Sequence, residues 1–263
     1  MNVLTVLSYN IWFDETLRLE RTVSLIQTIH NLNPDVICLQ EVIPEVYDIL
    51  ITLLTDYRYH FPKKINKDYA CVTFSKYQIS KCLDYEYKNS NMGRSLVITK
   101  IDYPYHKNSQ DGISVEKLDI VIANSHFESL FKKLNENGTK LEQYNTAKNL
   151  LSTLYDNYKN VILCSDTNVM YHEEEKLNNI FTSWQDAWKL KGSNLNDFTY
   201  DSETNIYLKI KLNKFVCRSR IDRIIFKTNN CILEEFNTIK ANKDCIEPSD
   251  HFGIYGKFIL KKD

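Results

Sequence analysis

Four apolar runs in this chain each end in carboxylate, amide or imidazole residues. The run 4–9 leads into Asn10, and 36–39 leads into Gln40 and Glu41. The run 120–123 leads into Asn124, Ser125 and His126, and 161–164 leads into Ser165, Asp166, Thr167 and Asn168. A fifth cluster, Ser249-Asp250-His251, stands just before a last apolar run at 252–260. Polar groups at the ends of neighbouring strands converge on one side of a sheet, where a rigid scaffold fixes their geometry. The set holds carboxylates, amides and imidazoles but no cysteine cluster. Hard oxygen ligands of this kind suit Mg2+ or Mn2+ rather than zinc. Imidazoles and amides beside such a cation suit the oxygens of a phosphate. Taken singly, each cluster has a structural explanation: polar residues cap strands, and Asp166-Thr167-Asn168 fits an Asx turn. Turns do not account for all five together.

Elements able to carry these clusters recur along the chain. Runs rich in β-branched residues at 4–11, 35–39, 70–74, 95–100, 118–124, 160–164, 221–227 and 252–260 have the length and composition of strands. Between them, Leu19, Val23, Ile26 and Ile29 fall on one helical face. Leu141, Tyr144, Ala147, Leu151, Leu154 and Tyr158 keep the same period. A third helix is predicted from Pro44 to about Leu54, with proline in the first turn where its missing N–H costs nothing. Strands outnumber helices, which fits two packed sheets with helices outside better than one doubly wound sheet. No linker, repeat or low-complexity stretch divides the chain, so residues 1–263 are expected to form one domain.

Composition narrows the class further. Hydrophobic residues make up 43% and charged residues 25%, ordinary globular values that exclude a disordered chain. The 33 basic residues stand against 34 acidic ones, a formal net of −1, so any polyanion site has to be local. No run approaches the ~18 apolar residues of a membrane span. The segment MNVLTVLSYN lacks the basic region and cleavage site of a signal peptide. Cys38, Cys71 and Cys164 lie inside apolar runs, and the seven cysteines include no C-x-x-C pair. They read as buried free thiols in a reducing compartment. The expected location is intracellular, in nucleus or cytoplasm, with no membrane association.

The order Asn10, Gln40-Glu41, Ser125-His126, Asp166-Thr167-Asn168 and Ser249-Asp250-His251 resembles the endonuclease/exonuclease/phosphatase superfamily. Four stretches are similar to its 5′-tyrosyl-DNA phosphodiesterase group: PDVICLQEVIPEVY at 34–47, SHFES at 125–129, SDTN at 165–168 and PSDHFG at 248–253. CRSRIDRIIF at 217–226 supports the match, and the likeness runs from about Leu4 to Phe258. The resemblance implies a four-layer α/β sandwich of the DNase I-like type, two packed mixed β-sheets flanked by helices. It implies a catalytic domain acting as a monomeric, Mg2+-dependent phosphodiesterase, with Mn2+ as an alternative ion. Its substrate would be a DNA 5′ end carrying a tyrosyl adduct, as in repair of trapped topoisomerase, or a protein-linked RNA.

The roles carried over by the resemblance are specific. Glu41 would be the main metal ligand, with Asn10 and Asp250 completing or orienting its shell. Asp166 would orient and deprotonate the attacking water, with Asn168 holding phosphate or water nearby. His251, positioned by Asp250, would bind a phosphate oxygen, and His126 would bind the phosphate from the other side. Tyr69 and Tyr200 match aromatic contacts to the DNA end, and Ile221 an apolar one. Glu128, Ser129 and Arg94 are further substrate-binding candidates, and Arg218 and Arg220 candidate phosphate contacts. One position departs from the group. After Asn-Ile the group has an Asp in the metal region, where this chain has Trp12, with Asp14 two residues on. Other phosphodiesterases of the superfamily, acting on abasic DNA, RNA tails, phosphoinositides or sphingomyelin, are the alternative enzyme reading. A non-catalytic binding protein is a third, opposed by the intact set Asn10, Glu41, Asp166, Asn168, Asp250 and His251.

Overall fold

A computed structural model describes residues 2–109, 112–129, 138–213, 215–241 and 245–261. In chain order, the first half contains β1 (Val3–Asn10), α1 (Arg18–Leu32), β2 (Val36–Val42), α2 (Pro44–Leu53), β3 (Tyr59–Phe61), β4 (Ala70–Ser75), β5 (Ile79–Glu86), β6 (Ser95–Ser109) and β7 (Gly112–His126). The second half contains α3 (Thr139–Tyr158), β8 (Asn160–Asp166), α4 (Glu174–Ile180), β9 (Gln185–Asp186), α5 (Ala187–Lys191), β10 (Tyr200–Asp201), α6 (Ile206–Lys211), β11 (Arg218–Ser219), β12 (Asp222–Thr228), β13 (Cys231–Ile239) and β14 (Gly253–Leu260). One six-stranded sheet runs β13-β14-β1-β2-β4-β3 and the other β5-β6-β7-β8-β12-β9. Both are mixed, because β1–β2 and β7–β8 are parallel and their other pairings antiparallel.

The layers follow from the two-residue period of a strand. On β7, Ile120 and Ile122 point into the seam between the sheets, where they meet Leu4, Val6, Val36, Cys38, Ile162, Cys164, Ile254 and Phe258. The alternate residues Val121 and Ala123 point outward onto Tyr144, Ala147 and Leu151 of α3. On the first sheet, Ile37 and Leu39 point outward onto Leu25 and Ile29 of α1 and Val46 and Leu50 of α2. Both faces of each central strand are therefore covered, which is why these strands read as unbroken apolar runs. Helices, sheet, sheet and helices make the expected four-layer α/β sandwich.

Two sequence expectations are corrected at this level. The spacing puts Leu19 and Val23 on one face of α1 with Ile26 and Ile29, but they are 62% and 46% exposed. The buried face is rotated onto Arg21, Thr22, Leu25, Ile26 and Ile29. Arg21 causes this: its guanidinium donates to the carbonyls of Ile11, Trp12 and Thr16, and so turns a charged residue inward. In addition, β3, β5 and β13 are strands that apolar runs do not mark. β5 is an edge strand of mostly exposed residues, where burial leaves no pattern in the sequence. All seven cysteines are free.

Candidate active site

The site forms where the parallel strands of the two sheets end together. On the second sheet the pairing registers place His126 opposite Asp166, and Asp166 opposite Asp222. Three chemically competent residues thus lie in one row across β7, β8 and β12. On the first sheet Asn10 pairs with Gln40. Gln40 itself is fully buried and bridges the seam, donating to Asn124 Oδ1 at 2.8 Å, while Asn124 donates to the carbonyls of Leu39 and Val72. It is a tie between sheets, not a reacting group.

Glu41 follows on a bulge. The β2–β4 register slips between Leu39 and Val42, and Glu41 has a φ of 60°, in the left-handed region. That conformation costs of order 1 kcal/mol or more for a residue with a side chain. It re-aims the carboxylate: Glu41 Oε2 accepts from Phe13 N at 3.0 Å, and Oε1 lies 3.8 Å from His126 Nδ1.

Asp166 is the hub. Its Oδ2 accepts from Asn10 Nδ2 at 2.9 Å and lies 3.2 Å from His126 Nε2, and its Oδ1 accepts from Asn168 N at 2.9 Å. Burial would raise its pKa, but His126, His251 and the Asn10 amide outweigh it and hold the carboxyl well below the usual carboxylate range. Asn168, also left-handed at φ 49°, donates its amide to Phe127 O. The buried Lys140 Nζ donates to Asn168 O at 2.8 Å and to Glu173, pinning the turn from behind. Arg94 Nη1 donates to His126 Nδ1 at 2.6 Å, which leaves His126 Nε2–H facing Asp166.

His251 is positioned by Asp222, not by Asp250. Its Nδ1 is 3.0 Å from Asp222 Oδ2, whereas its Nε2 is 3.9 Å from Asp250 Oδ1 and 4.0 Å from Asp166 Oδ2. Burial lowers an imidazole pKa, but Asp222, with Asp166 and Asp250 behind it, pushes this one up to about 10. The ligand atoms of Asp166, Asp222 and His251 lie within 4.8 Å of one another, close enough to hold a metal ion. The hydrogen bond and the raised pKa favour a different use, because a protonated imidazole has no lone pair to offer a cation. Glu41 and Asp250 are two further carboxylates that line the same cavity. Asn10 uses its carbonyl to accept from Trp12 N and its amide to donate to Asp166, so it ties Asp166 to the chain that follows β1.

The cavity, about 600 Å3, has a mixed lining. Glu41, Arg94, His126, Asp166, Asn168, Asp250 and His251 are its polar groups. Phe13, Met170, Leu212, Phe215, Cys217 and Ile221 add apolar surface. Tyr200 and Ser129 also line it, and Tyr200 packs edge-on against the His251 ring at 5.0 Å. Other candidates lie elsewhere. Tyr69 lines the adjoining cleft, stacked on Phe13 at 5.3 Å with Arg94 over its ring. Glu128 accepts from Ser90 Oγ, Asn91 N and Gln143 Nε2 and so anchors the loop that presents Arg94. Arg218 pairs with Asp201 and Glu203, and Arg220 with Glu174 and Asp186, so neither reaches the cavity. Trp12 packs on Arg21 and Tyr207. Asp14 caps Thr16 N and does not replace a ligand at position 12.

Asp222, Lys140, Lys211 and Phe13 are site residues that the strand-end pattern does not single out. Asp222 was within reach: it opens a strand inside CRSRIDRIIF, with an acid where the other apolar runs end in one.

The model of the Endonuclease/Exonuclease/phosphatase family matches residues 7–251. Tyrosyl-DNA phosphodiesterase 2 of Bos taurus is 26% identical over 266 residues, covering 96% of this chain and 67% of its own length. The Xenopus tropicalis protein of the same name is 26% identical, covering 97% and 65%. The chain thus spans about two thirds of the length of these relatives. Truncated Caenorhabditis elegans TDP2 superposes with a TM-score of 0.81 at 22% identity, over 98% of both chains. D. rerio TDP2 complexed with single strand DNA product gives 0.78 at 20% identity, over 99% of this chain and 100% of that one.

Proposed function

The chain belongs to the endonuclease/exonuclease/phosphatase family, and from that premise we propose that it is a Mg2+-dependent phosphodiesterase that hydrolyses the 5′-phosphotyrosyl bond between a protein and a nucleic-acid end. The observation that carries this reading is the convergence of Asp166, whose pKa is held low, and His251, whose pKa is raised, on one cavity with Glu41 and Asp250. The name shared by the curated relatives, and the DNA product held by the D. rerio protein, support the substrate class.

The residues divide the work. Glu41 and Asp250 offer carboxylate oxygens, and the bulge aims the first of them at the cavity; these donors fit a hard divalent cation such as Mg2+, with Mn2+ as a substitute. Such an ion neutralises charge on the phosphate oxygens when bound. Asp166 accepts a hydrogen bond from the attacking water and orients it in line with phosphorus. Its depressed pKa makes it a weak base, so orientation is the larger part of its contribution. His251 donates from Nε2 to a phosphate oxygen as negative charge builds, and the Arg94 guanidinium adds positive charge to the same cavity while His126, held by Arg94, faces Asp166 through Nε2. A tyrosine phenol has a pKa of about 10, well below a sugar hydroxyl, so it leaves without a strong general acid. The apolar side chains of the cavity lining suit a flat ring, either base or phenol.

We further propose a monomer acting inside the cell, in nucleus or cytoplasm, on DNA ends or on protein-linked RNA. The test is turnover of a 5′-tyrosyl oligonucleotide against an abasic duplex and a lipid phosphodiester, with Mg2+ and with chelator. Rapid release of tyrosine from the first substrate alone is expected. Preference for either of the others would replace this reading with the alternative one.

A further inference from the structure

Lys211 stands at the end of α6 with its ammonium 3.1 Å from Asp250 Oδ2 and 5.6 Å from the centre of a Trp12 ring. Lysine, carboxylate and indole line one cavity with Glu41. Asp250 is only 2% exposed. A buried carboxylate needs a positive partner to remain ionised. His251 is committed through Nδ1 to Asp222, and Ser249 Oγ reaches Asp250 only at 3.5 Å. The ammonium of Lys211 is therefore the closest charge on this carboxylate.

The helix that delivers it is fixed. Asn205 caps α6 by accepting from Tyr207 N and Leu208 N, and donates its amide to Ser249 O beside Asp250. Trp12 packs on Tyr207 at 5.3 Å, and Arg21 ties the Trp12 backbone to Pro248 O. The lysine side chain itself is 44% exposed on a flexible stem. A rigid helix thus presents a head group that is free to leave.

We propose that Lys211 is a displaceable internal counter-ion. In the absence of metal its ammonium sits on Asp250 at 3.1 Å, and it competes with a divalent cation for that carboxylate. Once displaced, it remains at the cavity wall as a positive charge for an anionic phosphodiester. This rests on the divalent-cation reading above. Two cations on one carboxylate repel each other, so each weakens the binding of the other by the same factor. The side chain is half-exposed, which puts that factor at the low end, about fivefold.

The test is a titration of Mn2+ into the metal-free protein without substrate, followed by loss of the free-ion paramagnetic resonance signal. Lys211→Met removes the charge and keeps the apolar stem; Lys211→Arg keeps the charge. Lys211→Met is expected to bind Mn2+ about fivefold more tightly, or to take up a second ion, and Lys211→Arg to match the wild type. Equal affinity and stoichiometry in Lys211→Met would overturn the proposal. So would weaker binding, which would make the lysine a support for Asp250 geometry. No uptake by any of the three proteins would remove the divalent-cation reading itself and the competition with it.

Discussion

An imidazole enclosed by carboxylates keeps its proton far above the pH at which a solvated histidine releases it, and the contact of His251 with Asp222 creates that situation. The folded pKa, about 10, lies above the ordinary 6.5. The ion pair therefore stabilises the fold fully below about pH 6.5, and its contribution fades as pH rises from there towards 10. Urea unfolding at pH 6 and pH 9.5 should show this loss in the wild type and a smaller one in His251→Gln. Turnover should depend on the same proton. Asp222→Asn should move the alkaline limb of the pH–rate profile down by more than about one unit; an unmoved limb would separate Asp222 from the chemistry. Asp166→Asn should cost at least about two orders of magnitude in turnover, the lower bound for a positioned acid–base group, with the Michaelis constant little changed. Unchanged turnover with a raised Michaelis constant would make Asp166 a binding residue. The sequence pattern reveals Asp166 and His251 because each follows or precedes an apolar run. It misassigns the partner of His251 because chain adjacency favours Asp250, whereas the hydrogen bond comes from a residue 29 positions away, brought in by strand register.

Elements that are buried on both faces can be read from sequence, and elements with one wet face are read less well. The central strands agree with their apolar runs because packing covers both their faces, and α3 keeps its period because one face lies on the sheet through Tyr144, Ala147 and Leu151. The α1 helix illustrates the limit. A period of 3.6 fits Leu19 and Val23 as well as Leu25, and only the inward Arg21 decides between the faces. Denaturant unfolding can check the rotation. Ile29→Ala should destabilise by about 2–4 kcal/mol, as for a core isoleucine, and Val23→Ala by no more than ~0.5 kcal/mol, as for a surface site. The bulge that aims Glu41 is likewise invisible in LQEV, since a slipped register is a property of two strands.

At the scale of the whole molecule the two sheets are joined by more than apolar contact. Gln40 and Asn124 form a buried polar bridge across the seam. Asn124→Ala should remove the shortest of the hydrogen bonds that Gln40 donates, take the Asn124 donor from the Leu39 and Val72 carbonyls, and cost about 1–3 kcal/mol, measured as a lower urea midpoint; a neutral effect would show that the bridge is incidental. The seam also divides the reactive groups. Asn10 and Glu41 come from one sheet, with Asp250 and His251 in the loop that enters its strand β14, and His126, Asp166 and Asp222 come from the other. Within the first sheet β14 lies against β1, strands from opposite ends of the described chain. Such distant pairings close slowly, because loop entropy is lost before contacts repay it. No partly assembled form can then turn over substrate. During refolding, or on the ribosome, activity should lag behind secondary structure and appear only when both halves dock, so the reaction serves as a clock for the last step of assembly.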